Sequence, residues 1–412
     1  MSNVPKLRFK EFSGEWDKVK IQTLIDKKFI KGHLDGNHGA LYPKAEEFTK
    51  EGIPYVTAND FINGKVDLNK CKCLPIERAS QFKKGIAKDG DVLFAHNATV
   101  GPVALLETDL DYVILSTTAT YFRCDNENLI NNYLKVYFTT NDFIKQYSRV
   151  MSQSTRDQVP ITTQRLFNIL LPSKQEQEKI ASFLTSVDTK IEQLTKKEEL
   201  LKQYKKGVMQ QIFSGEIRFK ADDGSEFEDW EEKKLGDVGE FKRGKNLPQV
   251  KDGQYFLLGM GSVSTEGKLL TSNTSDDSTE LVEKNDLIMP ERDIGEGLII
   301  GRVALINKDN NYVLGANVLR LRPKEWINSI FLHQYINDET IRRKIRRLVN
   351  GSAQLMITGK EIKEVQFHLP CLEEQTKIAN FLSLIDSKIE QVQKQLDSTK
   401  EFKKALLQQM FV

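Results

Sequence analysis

The densest cluster of chemically active side chains in the sequence is basic. The segment IRRKIRRL places Ile341, Ile345 and Leu348 on one face of a predicted helix, and five positive charges within six residues cover the rest. Such a cluster favours contact with the phosphates or base edges of a nucleic acid. The alternative is a basic surface helix that balances nearby Asp and Glu residues. The candidate arginines are Arg342, Arg343, Arg346 and Arg347.

Polar side chains suited to reading bases occur in predicted loops of both halves of the chain. Arg can pair with guanine, Asn and Gln can pair with adenine, and Lys, Ser and Thr hold phosphates. Loops exposed to solvent can also diverge without a function. The candidates in the first half are His96, Asn97, Thr99, Gln153, Ser154, Thr155, Arg156 and Gln158. Those in the second half are Arg292, Asp293, Ser352 and Gln354. The segment FKRGKN forms a second basic patch that could clamp the DNA backbone, and its candidates are Lys242, Arg243 and Lys245.

The sequence shows no catalytic constellation. A P-loop requires G-x4-G-K-[ST], but GSVSTEGKL, from Gly261, has five residues between its glycines and Leu269 in place of the hydroxyl. We find no Asn-Pro-Pro-aromatic motif of amino-methyltransferases and no glycine fingerprint for S-adenosylmethionine. DWEEKK, from Asp229, is most simply a solvated surface run, and Cys71 with Cys73 lacks a second pair of metal ligands. We therefore expect neither catalysis nor a bound metal.

The bulk composition is typical of a folded protein with two domains. The chain has 412 residues, of which 39% are hydrophobic and 29% charged, and a net charge of +2. Its four cysteines are too few and too scattered for a disulfide framework. The N-terminal stretch MSNVPKLRFKEF lacks the apolar core of a signal peptide, and the longest apolar runs are too short to span a bilayer. We expect a cytoplasmic protein that makes no contact with a membrane.

One segment of the sequence occurs twice. LPSKQEQEKIASFLTSVDTKIEQL, from Leu171, returns as LPCLEEQTKIANFLSLIDSKIEQV, from Leu369. At an offset of 198, residues 171–213 and 369–411 align without a gap and 21 of 43 positions are identical. Aliphatic residues alternate at spacings of four and three in both copies, which predicts two long helices with a heptad seam. The simplest partner for each seam is the other copy, and the alternative is the core of the helix's own domain.

The repeat extends beyond the two helices. Trp16 corresponds to Trp230, and GDVLFAHNATVGPVALL, from Gly90, corresponds to NDLIMPERDIGEGLIIGRVALI, from Asn285. The segment SGEIRFK directly follows the first copy, whereas its counterpart PKLRFK opens the chain. We therefore expect the N-terminal segment to lie beside the end of the second helix. Two-fold pairing of like helices would make them antiparallel.

This duplicated arrangement resembles, over essentially the full chain, the DNA specificity subunit of type I restriction-modification systems. The features that carry the resemblance are the two copies of LP…EQ.KIA.FL…D.KIEQ, each preceded by a divergent domain. We expect an α+β fold, with two pseudo-two-fold-related mixed α/β target recognition domains separated by two long helices that form an antiparallel coiled coil. The predicted division is a recognition domain at 1–170, a conserved spacer helix at 171–213, a recognition domain at 214–368 and a spacer helix at 369–412.

The same resemblance implies a non-catalytic function. Each recognition domain would read one half of a bipartite, asymmetric sequence in double-stranded DNA, while the helices set the spacing and dock two methyltransferase subunits. Restriction and translocation subunits would complete the complex. S-adenosylmethionine, ATP and Mg would belong to these partners, and this chain would bind no cofactor. The alternatives are a coiled-coil scaffold whose domains bind proteins, and a self-contained nuclease or methyltransferase, against which the missing motifs argue.

Overall fold

The computed structural model describes residues 3–37, 41–153, 157–294, 297–351 and 354–411. The predicted site residues Ser154, Thr155, Arg156 and Ser352 lie outside the described residues. The chain divides into two compact units, the first formed by residues 1–195 and 394–412 and the second by residues 196–393. Each unit contains one β-rich region, the N-terminal half of one long helix and the C-terminal half of the other.

The first unit is built around a mixed sheet. Its strands are β1 (Asp17–Lys20), β2 (Ile30–Asp35), β3 (Ile53–Val56), β4 (Phe61–Ile62), β5 (Lys65–Val66), β6 (Lys72–Leu74), β7 (Ile86–Ala87), β8 (Val92–Asn97), β9 (Thr99–Leu105), β10 (Val113–Leu115), β11 (Ala119–Cys124) and β12 (Asn168–Leu171). Its helices are α1 (Ile21–Asp26), α2 (Ile76–Ala79), α3 (Asn131–Tyr137), α4 (Asn141–Met151), α5 (Ile161–Gln164) and the start of α6 (Lys174–Phe213). The main sheet has the order β2-β11-β8-β9-β5-β4, a second sheet has the order β6-β3-β10-β7, and β1 pairs with β12.

Strand β8 anchors the first unit's core. It reads VLFAHN and is buried up to its penultimate residue, as expected for a strand covered on both faces. Phe94 of β8 packs edge-on against Phe143 of α4 with ring centroids 5.7 Å apart, and Phe143 stacks on Phe138 at 4.2 Å. Each fully buried aromatic ring contributes about 3 kcal/mol. These aromatic contacts anchor the β8–β9 hairpin to the core of the unit.

The second unit repeats this scaffold. Its strands are β13 (Glu231–Lys234), β14 (Gly239–Arg243), β15 (Tyr255–Leu258), β16 (Thr274–Ser275), β17 (Leu287–Pro290), β18 (Arg292–Asp293), β19 (Ala304–Leu305), β20 (Tyr312–Leu314), β21 (Val318–Pro323), β22 (Leu355–Met356) and β23 (Gln366–Leu369). Its helices are the end of α6, α7 (Ser329–Asn337), α8 (Glu339–Arg346), α9 (Gly359–Lys363) and the start of α10 (Leu372–Met410). The order β14-β21-β17-β19 reproduces β2-β11-β8-β9, β13 with β23 reproduces β1 with β12, and β15 lies parallel to β20 as β3 does to β10. The shared landmarks of the sequence are therefore shared scaffold.

The long helices run antiparallel in the first unit. Lys403 Nζ of α10 lies 2.5 Å from Asp188 Oδ1 of α6. Just past the end of α10, the ring of Phe411 lies 6.1 Å from that of Tyr133, whose hydroxyl donates to the carbonyl oxygen of Leu170 ahead of α6. The end of α10 thus meets the start of α6.

The second unit repeats the antiparallel pairing. Lys205 Nζ of α6 lies 2.7 Å from Asp386 Oδ1 of α10, which is the same pair of positions shifted by 198 residues. Phe213, the last residue of α6, stacks on Tyr335 with ring centroids 4.4 Å apart. The predicted antiparallel coiled coil is confirmed.

The apolar seams of the two helices also contact the domain cores. The seam residues that join these cores are Ile180, Leu184 and Val187 with Leu406 and Met410 in the first unit, and Ile378, Leu382 and Ile385 with Ile212 in the second. The partner helix and the adjoining domain therefore both cover each seam. Although α6 and α10 are 40 and 39 residues long, none of the described helices is apolar enough over a sufficient length to cross a membrane.

The glutamates of the repeated motif hold the segments that precede each domain. Buried Glu176 accepts hydrogen bonds from Nε and Nη2 of Arg8, both at 2.7 Å. Buried Glu374 accepts from Nε and Nη2 of Arg218 at 2.8 and 2.9 Å. A bidentate pair of this kind has a demanding geometry, which explains why both copies retain the glutamate and the R-F-K arginine.

The glutamines that follow bind the backbone ahead of each helix. Gln177 Nε2 donates to the carbonyl oxygen of Pro172 at 3.0 Å, and Gln375 Nε2 donates to that of Pro370 at 2.9 Å. The Oε1 atoms of the same amides accept from Ile130 N–H at 3.0 Å and Asn328 N–H at 2.9 Å, so each buried glutamine ties the start of its long helix to two other backbone segments. The Glu-Gln pair of the motif is therefore structural.

The N-terminal segment packs against the end of α10. Leu7 N–H donates to the carbonyl oxygen of Gln409 at 2.8 Å, just as Ile217 N–H donates to that of Gln211 at 3.0 Å after the first copy. The ring of Trp16 also lies 5.9 Å from that of Phe411. The predicted position of the N-terminal segment is confirmed.

Candidate nucleic-acid interface

In the first unit, the β8–β9 hairpin meets the segment ahead of α5. The hairpin turns at Ala98, whose φ of 63° is left-handed and whose N–H donates to the carbonyl oxygen of Asp157 at 3.0 Å. Asn97 pairs with Thr99 across the hairpin and forms a β-bridge with Gln158 on its other side. Residues directly opposite each other across strands present their side chains on the same face. The junction thus brings three predicted readers, Asn97, Thr99 and Gln158, onto one surface.

A buried polar network lies behind this surface. His96 is 1% exposed, its carbonyl oxygen accepts from Val159 N–H at 2.8 Å, and its Nδ1 lies 3.2 Å from the Val159 carbonyl oxygen. Gln164 Nε2 donates to the same carbonyl at 3.0 Å, and Gln164 Oε1 lies 3.2 Å from His33 Nε2. Burial lowers the pKa of His33 to about 4, so this histidine is neutral at neutral pH. His96, predicted to read bases, lies behind the surface and positions the segment that carries Gln158.

The second unit builds the same junction with different side chains. Ile357 N–H donates to the carbonyl oxygen of Glu291 at 3.0 Å, and Arg292 pairs with Met356 between β18 and β22. Asp293, a predicted reader, is buried and accepts a backbone hydrogen bond at 3.0 Å within its own loop. By backbone pairing, the residues that correspond between the units are His96 and Glu291, Asn97 and Arg292, and Gln158 and Met356. The two junctions therefore lie at equivalent positions of the two units, and the side chains at these positions differ in type.

The basic patch on and after β14 pairs with two buried carboxylates. Nζ of Lys242 and of Lys245 lie 2.7 and 2.6 Å from the carboxylate of Glu280, whose pKa these hydrogen bonds lower. Arg243 Nε donates to Oε2 of Glu291 at 2.8 Å. The two lysines thus have an internal counter-charge, which reduces the positive charge that they offer to a nucleic acid.

A cavity of about 460 Å³ opens beside this patch. Its charged lining consists of Arg243, Glu291, Arg292, Lys360 and Lys363. Four cations against one carboxylate make the cavity electropositive, which suits an anionic ligand. The cavity brings the predicted residues Arg243 and Arg292 together.

Sequence reasoning missed Lys360 and Lys363. Both lie on α9, which begins with a capping box in which Thr358 accepts from Glu361 N–H and Glu361 accepts from Thr358 N–H. A capping box is a sequence signature of a helix start, and residues three apart on a helix share a face. That signal, directly after the candidate loop, could have found the two lysines.

The basic helix α8 divides into buried and exposed arginines. Arg342 is 3% exposed, and its guanidinium donates to Glu339 at 3.1 Å and to a backbone carbonyl oxygen at 3.0 Å. Burial lowers the pKa of Arg342. Arg346 also pairs with Glu339, whereas Arg343 and Arg347 are exposed and form no ion pair within the described part of the chain. Arg342 therefore holds α8 in place, whereas Arg343 and Arg347 face solvent.

The remaining candidates and possible metal ligands complete the description. Gln153 and Gln354 are exposed, at the edges of the two junctions. Within the described ranges, no group of three or more His, Cys, Asp or Glu side chains could hold a metal ion. The site is thus a surface of hydrogen-bond donors and acceptors.

The chain is similar to known proteins over nearly its whole length. A family model described as the type I restriction modification DNA specificity domain matches residues 14–203 and 227–399. The chain is 26% identical to the putative type I restriction enzyme MjaX specificity subunit of Methanocaldococcus jannaschii, over 98% of this chain and 95% of that protein. It is also 26% identical to the MjaVIII specificity subunit of the same organism, over 97% of this chain and 94% of that protein. The specificity subunit has a non-catalytic role in type I systems.

Solved structures share the fold. The crystal structure of the type I restriction-modification S subunit from M. genitalium matches with a TM-score of 0.61 and 16% identity, over 99% of both chains. A chain from a structure that concerns complex assembly and conformational transition of the type I system matches with a TM-score of 0.57 and 17% identity, over 98% of both. The duplicated helices, the repeated junctions and the two specificity-domain matches agree, and the chain belongs to the family of type I restriction-modification DNA specificity subunits.

Proposed function

We propose that the chain directs a type I restriction-modification complex to a bipartite, asymmetric DNA sequence, with one half read by each unit. The observation that carries this proposal is the junction of hairpin and following segment, which both units build with the same backbone pairing and different side chains. Base identity is read by side-chain donors and acceptors, so two readers of different half-sites need a shared backbone and divergent side chains.

The proposed contacts follow from exposure and chemistry. Asn97 and Gln158 carry amides, which suit adenine, and Thr99 carries a hydroxyl, which suits either a base or a phosphate. Arg343 and Arg347 are exposed on α8, which suits contacts with phosphates. We leave Arg342 out of the proposed interface because its side chain is buried.

We assign the recognition domains to residues 1–170 and 214–368 and the spacer helices to residues 171–213 and 369–412. Each compact unit contains one of these recognition domains, which supports the assignment. The helices would set the distance between the two half-sites, because a paired helix of fixed length is a stiff spacer.

We further propose that the helices dock two methyltransferase subunits. Tyr204 and Phe402 occupy the same position in the two copies and are 54% and 52% exposed. Exposed aromatic side chains are enriched among the residues that dominate binding at protein interfaces. Retaining such a residue in both copies suits a partner that binds twice. S-adenosylmethionine, ATP and Mg would be bound by the methyltransferase and restriction subunits, and the complex would work in the cytoplasm.

An exchange of one recognition domain tests whether each domain reads its own half-site independently. Residues 21–167 would be replaced by the matching region of another family member, which keeps the β1–β12 pair and the contact between Arg8 and Glu176. We expect single-molecule methylation sequencing to show a change in one half of the target sequence. Exchange of the equivalent region of the second unit is the matched control and should change the other half. If either exchange altered both halves, the proposal would be wrong.

A further inference from the structure

Arg243 is an exposed arginine held by a buried carboxylate. Its Nε donates to Glu291 Oε2 at 2.8 Å, and the two side chains are 62% and 6% exposed. The backbone of Glu291 is fixed on both sides, since its N–H donates to the Asn317 carbonyl oxygen and its own carbonyl oxygen accepts from Ile357 N–H, both at 3.0 Å. Glu291 therefore sets the direction of the guanidinium.

The outer edge of the Arg243 guanidinium remains available for a ligand. Within the described part of the chain, Nη1 and Nη2 hydrogen-bond to no protein acceptor. Two parallel N–H donors on a planar, oriented group match the O6 and N7 acceptors that guanine presents in the major groove. Arginine is suited to this contact because its fork is rigid and always charged.

The surroundings of Arg243 favour a base edge of DNA. Arg292 lines the same electropositive cavity, and Met356 contributes an apolar side chain that is partly exposed. The cations attract the DNA, whereas the hydrogen bond from Nε to the buried carboxylate of Glu291 favours one direction of the guanidinium over others. An arginine used only for phosphate would need no such support.

The first unit has different chemistry at the same positions. By sheet register, Asp35 on β2 takes the position of Arg243 on β14, and His96 takes that of Glu291. An aspartate accepts hydrogen bonds and cannot donate to guanine O6 or N7. The amide of Asn97 instead suits adenine. The two half-sites should therefore differ in base composition at equivalent places.

We propose that Arg243 is a specificity-determining residue that pairs with a guanine in the half-site of the second unit, and that Glu291 is its positioning residue. This inference rests on the proposed function. The variants Arg243→Ala, Arg243→Lys and Glu291→Gln would be compared with the full-length chain, each assembled with methyltransferase subunits. Base preference would be measured at every position by selection from a library of random double-stranded DNA, together with the salt dependence of binding.

We expect the wild-type complex to select guanine at one position of the second half-site. Arg243→Ala should reduce that discrimination about tenfold to a hundredfold, the effect of losing one bidentate contact. Arg243→Lys should relax the same position because lysine lacks the fork. Glu291→Gln should relax it less, since the amide keeps the shape of the carboxylate and loses its charge. The unchanged preference of the first half-site serves as an internal control for folding and assembly.

Lys308→Ala, at an exposed lysine of the same unit that does not line the cavity, is the control and should leave every base preference unchanged. If Arg243→Ala instead weakened binding to all sequences equally and lowered the salt slope by about one, Arg243 would contact phosphate and the inference would be overturned. A wild-type half-site without guanine would overturn it as well. An unchanged preference in Glu291→Gln would remove the positioning role of Glu291. In this experiment the proposed function itself would fail if the wild-type complex selected no sequence.

Discussion

At the scale of single residues, burial separates side chains that can read DNA from those that hold the readers. His96 and Arg342 have the chemistry of a DNA contact, but both are buried and bonded within their own unit. Arg343 is exposed, and Asn97 is half-buried with its amide 3.5 Å from the Thr117 carbonyl oxygen, so both side chains still reach solvent. The difference arises because the strand end at His96 and the inner face of α8 are covered by neighbouring elements.

The exposed arginines of α8 provide a test of the phosphate contact. The double variant Arg343→Ala/Arg347→Ala should weaken DNA binding and lower the slope of log K against log salt by about two, since each lost phosphate contact contributes about one. Fluorescence anisotropy of the assembled complex at several salt concentrations would measure the slope. Arg342→Met is the matched control and should lower the thermal unfolding temperature. Measured on the protein that remains folded, it should leave the salt dependence of DNA binding unchanged. An unaltered slope in the double variant would show that α8 does not touch the DNA.

His33 should make the protein sensitive to acid. Burial lowers its pKa to about 4 from 6.5, an effect to which Arg165 and His96 add and which Gln164 and Asp35 oppose. Below pH 6.5, His33 of the unfolded chain is protonated, whereas His33 of the folded chain stays neutral until the pH nears 4. The free energy of unfolding therefore falls across this window. The loss should reach about 2 kcal/mol between pH 7 and pH 5.

Urea unfolding at the two pH values, followed by circular dichroism, would measure this loss. His33→Gln removes this titrating group and should reduce the pH dependence, and a part should remain because burial also lowers the pKa of His333. Equal pH dependence in His33→Gln and the wild-type protein would contradict the assignment.

At the scale of elements, the two long helices combine an internal seam with an external face. The seam residues are buried against the partner helix and the domain cores, whereas Tyr204 and Phe402 lie outside these clusters and are exposed. Gly207 lies one turn from Tyr204, and a methyl group added there would meet open space. Nothing inside the unit requires a glycine in the middle of this helix, where it costs about 1 kcal/mol relative to alanine. A partner that approaches the backbone closely would explain both features.

The double variant Tyr204→Ala/Phe402→Ala should weaken binding of the methyltransferase subunits at both sites. Each truncation removes a large apolar contact, so we expect a loss of at least tenfold in affinity per site, from about 2 kcal/mol for a dominant interface residue. Analytical ultracentrifugation of the mixed subunits would report the stoichiometry. Gln203→Ala/Glu401→Ala, at the adjacent exposed positions, is the control and should assemble normally. Full assembly of the aromatic double variant would place the docking surface elsewhere.

At the scale of the whole molecule, the chain is one structural repeat used twice. The ion pair of Asp188 with Lys403 in the first unit has its counterpart in that of Lys205 with Asp386 in the second. Contacts that recur in this way serve the scaffold, and under the proposed function positions that differ, such as Asn97 and Arg292, would read the separate half-sites.

Lengthening both helices tests their role as a ruler. One heptad inserted after Gln193 and one after Gln391 would keep the seam in register and add about 10 Å to each helix. Because base pairs are stacked about 3.4 Å apart, the gap between half-sites should grow by about three base pairs while both half-sites keep their sequences. Methylation sequencing would detect the new spacing. An unchanged gap would refute the ruler.

The sequence by itself determined the repeat, the two long helices, their antiparallel pairing and the family, because periodicity and an offset of 198 are properties of residue order. Several of the candidates that it named fall at the two hairpin junctions, and their contact with DNA stays a prediction. Only the tertiary structure decided which candidates face outward, why the Glu-Gln pair is retained and that Lys360 and Lys363 share a cavity with Arg243. The reason is physical, since burial and ion pairing depend on residues far apart in the chain, such as Arg8 with Glu176 and Arg243 with Glu291.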